Sequence, residues 1–298
     1  MQVTDTDTRD RLRSGITRLR NNAQSSLDGS IVVPVNAQGD LDNALRVAAD
    51  LGAYDGSNCF ELIFVVNNYP EDDPPTDIIR KYEELGIRVV SIPNVRRPGQ
   101  AAGFTARIPG IREARSDFVI LFDADVQIPN PTALLDWYVE RFREGAHAAY
   151  THVDYYDLPD ALSIRVRFAV HHCSRWVKRT LLSIPTTRGS NYAANRDTML
   201  KLYDDGMLAD EMNVGPTFKK AGHRVTYSGN RQLTVLTSGR MFRKGWRRIL
   251  PYYWYRLKYN FRTLPVRKNV AQYTKRENDP IRRYAHNRPI RSPSDNGK

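Results

Sequence analysis

The sequence predicts an α/β protein built on a mostly parallel sheet with helices on both faces. Three observations predict it. Continuous apolar, β-branched runs recur at "SIVVPV" (30 to 35), "FELIFVVNN" (60 to 68) and "FVILFDAD" (118 to 125). Apolar residues at helical spacing lie between them, and 298 residues suffice for one large core. Near-continuous apolar strands are those covered on both faces, the signature of strands joined by crossover helices. Single cores stop growing near about 250–300 residues, so one domain with appendages is expected.

Taken in order, residues 1–28 read as a helical or flexible segment ahead of the first strand. That strand ends in Pro34, Val35 and Asn36. "GDLDNALRVAADLGA" follows, with Leu41, Leu45 and Ala48 on one helical face behind Asp40 as N-cap. The second strand closes on Asn67 and Asn68. "TDIIRKYEELG" reads as a helix with Gly86 at its C-cap, and "IRVVSIP" (87 to 93) as a shorter strand. A Gly/Ala-rich segment with arginines, "RRPGQAAGFTARIPGI", precedes the third long strand.

Beyond it, "NPTALLDWYVERFREG" predicts an amphipathic helix from near Pro131, and "AHAAYTHVDYY" a strand. Residues 160 to 182 read as a helix with Leu162, Val166, Ala169 and Val170 on one side. "RGSNYAANRDTMLKLYDDG" and "LADEMNVGPTFKKAGHRVTYSG" predict a loop, a helix, an acidic turn, a helix and a strand. The main folded unit expected from this series is 29–236, followed by a basic aromatic helical extension over 237–271 and a poorly ordered tail over 272–298.

Charge is unevenly spread. Residues 231–298 hold 18 Lys and Arg against 3 Asp and Glu, while residues 1–230 hold 27 against 30. A polyanionic partner is therefore expected at the C-terminal part. There, "GRMFRKGWRRILPYYWYRLKYNFRTLP" interleaves aromatics with cations, and several readings are open: a helical cover over the domain, a homodimer contact, an element lying on an anionic membrane surface, or nucleic-acid binding, the last ranked lowest. The longest apolar runs, such as "LIFVV", fall far short of the roughly 20 residues that span a bilayer. The first 22 residues carry no apolar signal core, so a cytoplasmic protein, peripheral at the inner face of the membrane on the third reading, is the expectation. Cys59 and Cys173 have no ligand-like spacing and read as reduced core thiols, and His171–His172 lacks a metal-ligand pattern.

Asp123 and Asp125 stand two apart at the tip of an apolar strand. In an open α/β sheet ligands bind beyond the carboxyl ends of the strands, and two such carboxylates can grip a hard divalent cation. Aspartates also close strands simply as turn formers. The order of features decides between these readings: polar strand ends at Asn36 and Asn67–Asn68, the Arg-bearing segment, then Asp123-Ala124-Asp125, and a second acidic pair at Asp210–Glu211. In this order the sequence resembles the inverting glycosyltransferases of family 2, with the GT-A (Rossmann-like) fold, over roughly residues 29 to 236.

The resemblance implies a function and a site. "SIVVPVNAQ" matches the family's first strand, Asn67 and Asn68 replace its base-contacting acidic pair, and "ARIPG" matches "ARNxG", which makes Arg107 a nucleotide contact. Asp123 would hold the nucleotide side and Asp125 a Mg2+ or Mn2+ ion on the diphosphate. In "ADEMNVGPTFKKAGHRV", Asp210 and Glu211 occupy the family's Glu-Asp pair in swapped order, with Glu211 the expected general base and Asp210 the alternative. Gly189, Ser190 and Asn191 would face the acceptor, and Arg240, Arg243, Lys244 and Trp246 would close over the diphosphate. The implied reaction moves a sugar, most simply a hexose, from a nucleoside-diphosphate sugar to an acceptor hydroxyl on a glycan, a lipid-linked molecule or a small molecule. The alternative is a non-catalytic protein of this fold that binds nucleic acid or a membrane through its basic end.

Overall fold

The computed structural model describes residues 6–21, 26–93, 102–208, 210–243 and Trp254. In chain order its elements are α1 (Thr6–Asn21), β1 (Gly29–Asn36), α2 (Leu41–Gly52), β2 (Phe60–Asn67), α3 (Thr76–Glu84), β3 (Arg88–Ile92), α4 (Ala102–Glu113), β4 (Phe118–Phe122) and α5 (Pro131–Arg143). There follow β5 (Ala148–Thr151), β6 (Val153–Tyr155), α6 (Leu162–Thr180), β7 (Asn191–Asn195), α7 (Arg196–Asp204), α8 (Glu211–Lys220), β8 (Val225–Ser228), β9 (Val235–Thr237) and α9 (Arg240–Arg243).

Seven strands form one sheet in the order β3-β2-β1-β4-β7-β5-β8, and β6 pairs with β9 in a small second sheet. Only β7 runs antiparallel to its neighbours, β4 and β5, so the predicted mostly parallel sheet is present. Because side chains alternate along a strand, each long strand feeds two cores. Ile31, Val33, Phe64 and Val66 meet Leu12, Ile16, Val47, Leu51 and Leu134 on one face. Val32, Ile63, Val65 and Leu121 meet Phe104, Ile111, Met199 and Phe218 on the other. Each such fully buried side chain contributes roughly 1.5–3 kcal/mol.

Several local expectations hold and others are corrected. Asn130 caps α5, accepting from the Ala133 amide at 3.0 Å, with Pro131 at the first turn as predicted. Asp40 precedes α2 without a side-chain cap bond. Gly86 closes α3 with a φ of 86°, the left-handed region that glycine enters freely. The segment before β1 is a docked helix: Leu12, Ile16 and Leu19 are buried, and a Cβ on Gly15 would lie 2.7 Å from the Gly52 carbonyl oxygen.

"AHAAYTHVDYY" is two strands in two sheets, broken at His152. Residues 191–195, read as loop, are the strand β7, between β4 and β5. Cys59 is buried, but Cys173 is exposed on α6 and is not a core thiol. The expected extension and tail lie outside the described residues beyond 243, Trp254 apart.

Candidate active site

The sheet brings the polar strand ends to one edge. Asn36 pairs with Asn67 in the parallel register of β1 and β2, and β4 ends beside them on Phe122, just before Asp123. β7 runs the other way, so its beginning arrives at that same edge, with Asn191 opposite Phe122. Antiparallel entry is what sets Gly189 and Ser190 next to Asp123, although they follow it by more than sixty residues.

At the centre lies Arg107, on α4, fully buried. Its Nη1 donates to Glu211 Oε1 at 2.5 Å and to the Gly103 carbonyl at 3.0 Å. Its Nη2 donates to Asp123 Oδ1 at 2.5 Å and to the Gly189 carbonyl at 2.9 Å. Expected at the nucleotide, Arg107 instead lies beneath the site and links its two carboxylates. Burial opposes the charge on Arg107, and the Asp123 and Glu211 carboxylates more than restore it, so the guanidinium holds its proton more tightly than usual.

Asp210 and Glu211 divide their tasks by geometry. Asp210 Oδ1 accepts from the Met212 amide at 2.8 Å and so caps α8. Glu211 turns the other way, onto Arg107, with only 14% of its side chain exposed. Burial pushes its carboxyl up to about 7. Arg107 pulls against that rise, and the Asp210 and Asp123 charges add to it. A carboxyl balanced near neutrality can take a proton and give it back.

The loop before β7 holds this arrangement. Thr187 Oγ1 donates to the Glu211 carbonyl at 2.8 Å and accepts from the Gly215 amide at 3.0 Å. The fit is close: a Cβ on Gly215 would lie 2.7 Å from Pro185 Cβ, and one on Gly189 3.2 Å from Glu211 Cγ. Ser190 Oγ donates to Asp123 Oδ2 at 3.0 Å. Asn191 points elsewhere. It accepts from Tyr138 at 2.5 Å and donates to Thr151, buried under the sheet edge, so it is a brace inside the core and not an acceptor contact. Thr187 belongs to no motif read from the sequence, and nothing in "IPTTRGS" announces it.

Asp125 meets Arg240, whose Nη2 donates to Asp125 Oδ2 at 2.7 Å. The small sheet delivers that arginine: Gln127 and Leu236 exchange backbone bonds of 2.8 and 3.0 Å, and β9 then leads into α9. Tyr156 adds a hydroxyl to the Asp125 carbonyl at 3.3 Å. The Arg243 side chain, Lys244 and Trp246 lie outside what is described. Ala124 is buried between the two aspartates.

At the rim of β1 and β2, Asn68 sits at φ 64° and donates to Asn36 Oδ1 at 3.0 Å. Asn67 turns its amide nitrogen inward to the Val35 and Val65 carbonyls at 3.1 and 3.0 Å. Pro34 is half-buried and Val35 buried within β1. Asn36 and Asn68 are thus the amides presented at this rim. Among the described residues no three His, Cys, Asp or Glu side chains gather as a metal cage. Asp123 and Asp125 supply hard oxygens suited to a cation whose remaining ligands come from a diphosphate.

The family model described as Glycosyl transferase family 2 matches residues 30–199, more than half of the chain. No curated protein sequence matches. Among solved structures, glucosyl-3-phosphoglycerate synthase from Mycobacterium tuberculosis, in complex with Mn2+, uridine diphosphate and phosphoglyceric acid, is 19% identical, with 74% of this chain and 72% of that chain covered and a TM-score of 0.41. The mannosyltransferase PcManGT from Pyrobaculum calidifontis, with GDP-Man and Mn2+, is 16% identical over 89% and 80%, with a TM-score of 0.46. S. aureus TarS 1-349 is 17% identical over 75% and 64%, with a TM-score of 0.43.

Proposed function

Because the chain belongs to glycosyl transferase family 2 and is a glycosyltransferase, we propose that it transfers a sugar from a nucleoside-diphosphate donor to an acceptor hydroxyl by a single inverting displacement, with Glu211 as general base. One observation carries this reading: Glu211, balanced near neutral pH, is held by Arg107 against the carboxylate that ends β4.

The nucleotide lies along Asn36 and Asn68, with its diphosphate toward Asp123, Asp125 and Arg240. Asp123 and Asp125 would hold Mg2+ or Mn2+, which when bound neutralises charge on the departing diphosphate. Glu211 takes the proton of the acceptor hydroxyl. The freed oxygen electron pair forms the new bond to the anomeric carbon as the bond from that carbon to the diphosphate oxygen breaks, and the nucleoside diphosphate leaves with that electron pair. Arg107 orients Glu211 and stabilises its anion. Ser190 and the Gly189 backbone shape the acceptor side beside it.

The test is release of nucleoside diphosphate from a panel of nucleotide sugars with Mg2+ or Mn2+ present and candidate glycan, lipid-linked and small-molecule acceptors. Metal-dependent release with one donor, and a product of opposite anomeric configuration, is expected. Turnover that persists in a chelator, or a product of retained configuration, overturns the proposal.

A further inference from the structure

The helix α6 is built inside out. A surface helix of a globular protein normally turns its polar side to water. In α6, Ile164 and Arg167 are buried, Phe168 and His171 pack on Phe242, and Arg175 donates to the Thr186 carbonyl at 2.5 Å. The opposite side carries Leu162, Val166, Val170, Cys173 and Trp176, which successive helical turns stack in one stripe. Leu162 is 78% exposed, and Val166, Val170 and Trp176 are 47%, 49% and 51% exposed. Leu181 and Leu182, both mostly exposed, extend the stripe past the helix end.

A continuous apolar stripe facing water marks an interaction surface. We propose that it lies on the surface of an anionic lipid bilayer. Charge selects this cover. Of the five Lys and Arg in Leu162–Thr180, Arg167 is buried and Arg175 is turned to Thr186, but α6 packs on Phe242 at the start of the strongly basic end, where residues 231–298 hold 18 Lys and Arg against 3 Asp and Glu. A second copy would bring two such basic ends together, whereas anionic headgroups attract them. No helix among the described residues is long and apolar enough to cross a membrane. A basic helix with one apolar face and a tryptophan on it lies in the interface plane.

The consequence for the site follows from the chain path. α6 runs directly into the loop carrying Thr187, Gly189 and Ser190, tied down by Lys219 Nζ to the Ser183 carbonyl at 2.6 Å. A bilayer under α6 thus borders the acceptor side. The docking stands without any assumption about sugar transfer, and its test reads binding alone.

Cys173 lies in the stripe, and the other cysteine, Cys59, is buried, so one thiol reports on this face. Full-length protein carrying an environment-sensitive fluorophore on Cys173 is mixed with phosphatidylcholine vesicles with and without phosphatidylglycerol. Flotation with the anionic vesicles, and a blue shift of the label, are expected. Val166→Asp with Val170→Asp should lower partitioning by more than about tenfold, with an unchanged melting curve because both valines are half exposed. Failure to float overturns the proposal. So does flotation with the label still in water or with the double variant unaffected, since the C-terminal cations then carry the binding. A dimer that the double variant dissolves also overturns it, in favour of a second copy as the cover.

Discussion

Arg107 donates to Glu211 at 2.5 Å through one guanidinium nitrogen and to Asp123 at 2.5 Å through the other. These partners lie 104 and 16 residues away in the chain. One buried cation therefore joins the carboxylate at the strand tip to the carboxylate at the helix start, and the behaviour of either depends on it.

The first prediction concerns pH. A general base works only when ionised, so kcat/KM should rise with pH through about 7 and level off above. Stability should move the opposite way. A group whose proton affinity is raised on folding contributes fully below its unfolded range, and the contribution is lost as pH climbs through the folded value. The wild-type melting temperature should fall between ordinary carboxylate pH and about 7 more than that of Glu211→Gln. Equal pH slopes in melting scans would contradict this.

The second concerns Arg107 itself. Arg107→Met removes a fully buried partner from two carboxylates and should cost about 3–5 kcal/mol in urea unfolding. Arg107→Lys keeps the charge but not the fork, so it should retain more stability while losing activity. In the lysine variant the rising limb of the pH profile should move upward, because a looser cation stabilises the Glu211 anion less.

The third separates the acidic pair. Asp210→Ala should cost about 1 kcal/mol through the lost cap of α8, and Asp210→Asn should restore most of it. Both should move the pH limb downward, because the Asp210 charge helps to raise the Glu211 carboxyl. Abolished turnover in the folded asparagine variant would transfer the base role to Asp210.

How much of this was legible beforehand depends on which force set each feature. β1, β2 and β4 were readable because their apolar runs carry their own burial. β7 was not, since Tyr192, Ala193 and Ala194 become a strand only through pairing with β4. The acidic pair was readable as a pair, but which member faces the site depends on Asp210 capping α8, a matter of backbone direction. Arg107 was singled out and then misplaced: its type announced an anion partner, and only the packing of α4 shows that the partners are two carboxylates of the protein. The stripe on α6 was visible by periodicity, yet nothing local says that the apolar side faces out.

The fourth prediction concerns Arg240, which holds Asp125 Oδ2 at 2.7 Å. Arg240→Ala removes a charge-assisted contact expected to pass to the diphosphate, so the donor KM should rise about tenfold or more. Binding of Mn2+ alone, followed by electron paramagnetic resonance, should tighten, because a competing cation has left the carboxylate. A donor KM unchanged in this variant would remove Arg240 from the donor site.

The most direct test of the whole account is Glu211→Gln, measured for transfer and for donor binding side by side. The substitution keeps size and hydrogen-bonding capacity near Arg107 while removing the base. Transfer should fall by about 10²- to 10⁴-fold, with the donor dissociation constant close to wild type. Turnover at the wild-type rate in that variant would contradict the assignment of Glu211 and, with it, the reading of the Arg107-centred cluster as the catalytic site.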